Sequence, residues 1–101
     1  MNNVWQGGGR RIHIQEVGTR DGLQMEAQFV PTEDKIALVD QLSATGVAKI
    51  EVTSFTSPKA IPALRDAEIV MREIRRAPGV VYTALVPNVR GAERAIESRT
   101  D

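Results

Sequence analysis

The segment "EVGTRDGLQME", Glu16 to Glu26, sets Arg20 and Asp21 side by side with Gly22 immediately after them. Asp21 offers hard carboxylate oxygens, which suit a divalent cation such as Mg²⁺ or Mn²⁺. Arg20 offers a fixed positive charge that can hold a substrate carboxylate or a developing enolate oxygen. The same two residues can equally form a salt bridge within a loop, with Gly22 making the turn, and spacing alone does not separate the two readings.

A second group of candidates lies in "KIEVTSFTSPK", Lys49 to Lys59. Glu51 alternates in phase with Lys49 and Thr53, so in a barrel it points inward while Ile50 and Val52 face the helices. An inward carboxylate needs a partner: Lys49 or Arg20 in a structural pair, or a metal-bound water, or the arginine whose direction it sets. The hydroxyls of Ser54 and Ser57 and the ammonium of Lys59 could meet the phosphates of a large anionic cofactor, or form an ordinary polar loop. His13 falls early in a strand, away from its loop end, and is expected to be packed or hydrogen-bonded rather than a ligand. Trp5 and the methionine of the second helix are expected to pack.

These residues need a scaffold that brings distant loops together. Ile12 to Val17 alternates as a first strand, with Ile12 and Ile14 on one side. Thr32 is a candidate N-cap with Glu33 and Asp34 behind it, opening a helix whose Ile36, Val39 and Leu42, reinforced by Leu38, recur at helical spacing until Gly46. "VAKIEVTSF" then alternates as a second strand. Asp66 can cap a second helix with Ala67, Val70, Met71 and Ile74 on its apolar stripe, ending near Ala77. "VVYTALV" from Val80 is a β-branched third strand closed by Pro87, and Asn88 can cap a third helix through Ala92, Ala95 and Ile96. Strand and helix alternate three times, which predicts an α/β fold of consecutive parallel crossover units. In such folds the loops after the strands meet at one mouth, which would gather Arg20, Asp21, Glu51 to Ser57, Pro87 and Asn88.

Composition narrows the function classes. The 101 residues suffice for one small domain, and 42% hydrophobic with 26% charged residues is ordinary for a globular chain. Thirteen basic and thirteen acidic side chains cancel with no separate basic block, so nucleic acid is not an expected partner. There is no cysteine, hence no disulfide or thiolate site, and no apolar run near the ~20 residues that cross a bilayer. A cytoplasmic location and no membrane contact are the expectation. Residues 1–11, with three glycines ahead of the first strand rather than after it, read as a flexible leader and not as a phosphate cradle.

Taken together, "EVGTRDGLQ", "KIEVTSFTSPK" and "ALVPNVRGAERAI" resemble the N-terminal third of the hydroxymethylglutaryl-CoA lyase family, part of a metal-dependent lyase and Claisen synthase superfamily. Leu23 in "RDGLQ" favours the lyases over the synthases, which typically read "RDGEQ". The resemblance implies an eight-stranded parallel β/α (TIM) barrel, of which residues 12–101 would be the first three β/α units, incomplete. It implies cleavage of 3-hydroxy-3-methylglutaryl-CoA to acetyl-CoA and acetoacetate, a step of leucine degradation, by a homo-oligomer. By the same resemblance Asp21 would bind the Mg²⁺ or Mn²⁺ and Arg20 would stabilise the enolate of the departing acetyl-CoA. Glu51 would support both, Gln24 would line the pocket, and Ser54, Ser57 and Lys59 would lie near the acyl-CoA. Met25 and Ala60 depart from the Asn and the aromatic residue common at these places, and the family's metal-binding histidines and catalytic cysteine have no counterpart here. The 101 residues alone are therefore expected to be inactive, with open sheet edges that favour self-association.

Overall fold

The computed structural model describes residues 11–101. The leader, apart from Arg11, and Trp5 lie outside them. Three strands form one parallel sheet in the order β1 (Gln15–Glu16), β2 (Lys49–Ser54), β3 (Val81–Leu85). Helices α1 (Thr32–Ser43), α2 (Ala67–Glu73) and α3 (Val89–Glu97) follow the strands in turn, as the alternation predicts.

Strand β1 is shorter than Ile12–Val17. Gln15 and Glu16 pair with Lys49 and Ile50, and the Ile14 carbonyl accepts from the Ala48 amide at 3.0 Å. Ile12 and Ile14 are exposed, because among the described residues β1 has a neighbour on one side only. His13, expected to be packed or hydrogen-bonded, is also exposed.

Helix α1 starts one residue earlier than a Thr32 cap implies. Pro31 occupies the cap position, and the Thr32 hydroxyl instead donates to Asp66 Oδ2 at 2.7 Å. Val39 is fully buried with Ile36 and Leu42 beside it, whereas Leu38 faces outward. Gly46 takes φ +90° just beyond the helix, a conformation a side chain would strain.

Asp66 sits at the start of α2 but makes no capping bond. Its other oxygen accepts from Lys35 Nζ at 2.7 Å, and the same ammonium donates to the Ala63 carbonyl at 2.6 Å. Lys35 and Asp66 are both buried, so α1 is locked to the segment that feeds α2 by a satisfied ion pair. That segment also holds a short 3₁₀ turn, Pro62–Leu64, not foreseen from the sequence. Helix α2 ends at Glu73, short of Ala77, because competing acceptors take the next amides: Asp40 Oδ1 binds the Arg75 N–H and the Tyr82 hydroxyl binds the Ala77 N–H, both at 2.7 Å.

The stripe of α2 lies in the core as predicted, Ala67, Val70, Met71 and Ile74 packing with Val39, Ile50, Val52, Phe55, Tyr82 and Ala95. Burial of each large member is worth about 1.5–3 kcal/mol. On α3, Asn88 caps as predicted, its Oδ1 accepting from the Gly91 N–H at 2.8 Å. Ile96 points outward, and Arg94 takes a buried place. The β2–β3 register slips by one residue between Glu51 and Thr53: Glu51 stands opposite Thr83, but Thr53 stands opposite Ala84. Val52 is the extra residue, so strict alternation stops there.

Candidate active site

Arg20 and Asp21 sit on a single π-helical turn, Gly18–Gly22, directly after β1. The Val17 carbonyl accepts from both of their amides, at 3.1 and 2.7 Å. At the entry to the turn the Gly18 N–H donates to Glu16 Oε1 at 2.8 Å. Thr19, fully buried, donates its hydroxyl to the Glu51 carbonyl at 2.8 Å and so fastens the turn to β2.

The turn sends its two charges in different directions. Arg20 leans onto β2, its Nε 2.6 Å from Glu51 Oε1, with the two side chains 20% and 15% exposed. Asp21 stays 64% exposed, and its contact with Arg20 Nη1 is longer, 3.4 Å. The loop salt bridge open from the sequence thus has a counterpart, though it is not the shortest contact of Arg20. The local Arg20–Asp21 pair exists, and the shorter, less exposed partner of Arg20 is Glu51. Among the described residues Glu51 pairs with Arg20 and not with Lys49. Gln24 Oε1 lies 3.5 Å from Arg20 Nη1, which joins Gln24 to the same group. This arrangement presents a guanidinium of fixed direction next to a carboxylate open to water, suited to a substrate that develops negative charge beside a bound cation.

The loop after β2 divides its predicted residues. Ser54 is fully buried, its hydroxyl 2.7 Å from Thr56 Oγ1 and accepting from the Thr56 N–H at 3.1 Å, so it shapes the loop from within. Ser57 and Lys59 are exposed. The Ser57 carbonyl accepts from the Ala60 and Ile61 amides, which closes the loop into a compact turn. Gln24, Phe29, Ala60 and Arg65 line a cleft of about 540 Å³ between this loop and the one after β1. Arg65 stacks on Phe29 there, 3.6 Å from the ring centroid.

The residues that hold this loop escaped the sequence reading. Arg94 of α3 donates through Nε and Nη2 to both oxygens of Glu68, at 2.8 and 2.7 Å. Its Nη1 donates to the carbonyls of Phe55 and Thr56, at 3.2 and 3.4 Å. The hydrogen bonds from Arg94 hold the Glu68 carboxyl below the usual carboxylate range, against the opposing effect of burial, and Glu68 in turn raises the Arg94 guanidinium. One turn earlier, a Cβ on Gly91 would stand 2.8 Å from the Phe55 carbonyl oxygen. No local pattern signals a pair separated by 26 residues; only the approach of α3 to the end of β2 creates it.

For a divalent cation, Asp21 is an outward carboxylate at the mouth and fits as one oxygen ligand. Among the described residues no three His, Cys, Asp or Glu side chains come together. No described helix is long and apolar enough to cross a membrane.

The family model for HMGL-like proteins matches residues 11–101. Hydroxymethylglutaryl-CoA lyase YngG of Bacillus subtilis is 57% identical over 88 residues, 87% of this chain and 29% of that protein. The 3-hydroxy-3-isohexenylglutaryl-CoA/hydroxy-methylglutaryl-CoA lyase of Pseudomonas aeruginosa is 51% identical over 89 residues, 88% of this chain and 30% of the relative. Among solved structures, the HMG-CoA lyase of Bacillus subtilis superposes with a TM-score of 0.87 at 56% identity, over 89% of this chain and 30% of that one. An HMG-CoA lyase from Acinetobacter baumannii, in complex with coenzyme A and 3-methylmalate, superposes with a TM-score of 0.86 at 51% identity, over 87% and 29%. The chain thus spans about three tenths of the length of these relatives, and its three β/α units match the N-terminal part of their TIM barrel.

Proposed function

The chain belongs to the HMGL-like family, and from that premise we propose that it supplies the enolate-stabilising part of a lyase that cleaves 3-hydroxy-3-methylglutaryl-CoA to acetyl-CoA and acetoacetate. The observation that carries this reading is the Arg20–Glu51 contact at 2.6 Å beside an Asp21 left open to solvent. In the cleavage the bond between C2 and C3 breaks. Its electron pair passes to the acetyl-CoA enolate, which takes up a proton, while the C3 hydroxyl loses a proton and becomes the ketone of acetoacetate. Arg20 would balance the enolate oxygen's charge, and its contact with Glu51 would fix the guanidinium so that it need not reorganise during the reaction. Asp21 would be one ligand of a Mg²⁺ or Mn²⁺ ion, which when bound polarises the substrate's hydroxyl and carboxylate as a Lewis acid.

Gln24 would border the acyl group through its proximity to Arg20. Ser57 and Lys59 would meet the polar part of the acyl-CoA from the exposed side of the loop, and Ser54 would keep that loop in shape from below. The complete enzyme would be a cytoplasmic homo-oligomer in leucine degradation. A second reading, a lyase for a bulkier acyl-CoA, is favoured by the small Ala60 in the cleft that Gln24 also lines.

The test joins this chain to the remaining barrel of a relative and measures acetoacetate release with Mg²⁺ or Mn²⁺. We expect turnover from the joined enzyme and none from the 101 residues alone. Arg20→Gln is expected to lower kcat about 10²- to 10³-fold with a small change in KM, as for loss of one group that binds developing charge. No acetoacetate from the joined, unsubstituted enzyme with either metal would defeat the lyase reading.

A further inference from the structure

We propose that Arg94 is a positioning residue that sets the conformation of the Phe55–Ile61 loop, with Glu68 as the counter-charge that fixes its direction. The inference rests on the function proposed above only in taking this loop as the one that meets the acyl-CoA.

Three observations converge. Arg94 is 9% exposed, yet four of its hydrogen bonds are accounted for: two to the Glu68 carboxylate and one each to the Phe55 and Thr56 carbonyls. Its guanidinium carbon also lies 5.3 Å from the Phe55 ring centroid. Gly91, on the same face one turn earlier, lets the α3 backbone approach the Phe55 carbonyl so closely that a Cβ would sit 2.8 Å from it. The Phe55 carbonyl is thus bounded by α3 at two points, where the chain leaves β2 and begins to turn.

A planar fork suits this task. Its one edge takes the carboxylate in two parallel bonds, which leaves Nη1 aimed at the two loop carbonyls. A lysine ammonium has no second edge and cannot span both targets. The loop's own bonds are short-range: Thr56 N–H to Ser54 Oγ, Lys59 N–H to Ser57 Oγ, and the Ala60 and Ile61 N–H groups to the Ser57 carbonyl. They make the turn compact, and the Phe55 N–H donates to the Leu85 carbonyl of β3 at 2.9 Å, which ties the start of the loop to the sheet. Beyond that point, the bonds from Arg94 to the Phe55 and Thr56 carbonyls hold it to α3.

Amide hydrogen exchange on the full chain reads this directly. In Arg94→Lys and Arg94→Met, we expect the Thr56, Ala60 and Ile61 amides to exchange about tenfold faster or more, while Ile50 and Val70 change by less than about twofold. Glu68→Gln keeps a neutral acceptor and is expected to give a smaller change at the same amides. An equal change at all amides in both Arg94→Lys and Glu68→Gln would mean that Arg94 only stabilises the fold, and would overturn the proposal. So would unchanged loop amides. In the chain joined to the rest of its barrel, Arg94→Lys is expected to raise KM for the acyl-CoA about tenfold with kcat within about twofold, and a fall in kcat at constant KM would again overturn it. Absence of turnover in the unsubstituted joined enzyme would defeat the lyase reading, and the exchange pattern would still decide the role of Arg94.

Discussion

Arg20 and Arg94 each meet a glutamate, and the difference between the two contacts separates their roles. Arg20 gives Glu51 a single Nε contact and keeps its Nη1 near Gln24 and Asp21. Arg94 commits Nε and Nη2 to Glu68 and Nη1 to the backbone, four of its five N–H donors in all. The Arg94 pair also carries a pH dependence. The folded chain holds Glu68 below its ordinary value of 4.5, so the pair's contribution is present above that value and is lost as pH falls through the lower, folded one. Glu68→Gln should therefore lower the melting temperature slightly near neutrality, slightly because the carboxylate is 35% exposed and screened by solvent. The gap to the parent chain should close on acidification, as thermal melts from about pH 7 to about pH 3 would show. A gap that widens toward acid would contradict the assignment.

At the scale of elements, polar side chains decide where helices begin and end more often than the apolar pattern does. The periodicity of Val39, Val70, Met71 and Ala95 was legible, and so was the Asn88 cap, because each depends on neighbours within one or two turns. Thr32 and Asp66 look like caps by type, yet they bond each other and Lys35, a partnership that no local window reveals. The same limit hid Arg94 and the early end of α2. Lys35→Met should cost about 3–5 kcal/mol in urea unfolding, since it leaves Asp66 buried without its cation, and Lys35→Met with Asp66→Asn should recover part of that loss. Gly91→Ala poses a direct contest. Helix propensity gains up to ~1 kcal/mol, but contact with the Phe55 carbonyl costs about 1–3 kcal/mol, so a net loss is expected. A more stable Gly91→Ala chain would show that α3 can move away from β2 freely.

At the scale of the whole molecule, β1 and β3 each pair on one side only among the described residues, with Val81 and Leu85 exposed on β3 and Ile12 and Ile14 exposed just ahead of β1. Edges of this kind recruit further strands. Analytical ultracentrifugation of the 101 residues is expected to show association that grows with concentration; a cooperatively folded monomer at high concentration would refute this. The candidate site was legible in outline because Arg20, Asp21 and Glu51 lie where successive parallel strands deliver their ends, so type and order together placed them near one another. Their division of labour was not legible. It depends on a turn that separates two adjacent charges and on one additional residue in the middle strand.

That additional residue, Val52, works as a joint. Glu51 lies before the slip and is keyed to the sheet through Thr19 and Arg20, whereas Phe55 lies beyond it and is keyed to α3 through Gly91 and Arg94. A lineage could thus reshape this loop by changing α3 alone, leaving Arg20 and Glu51 upstream in register.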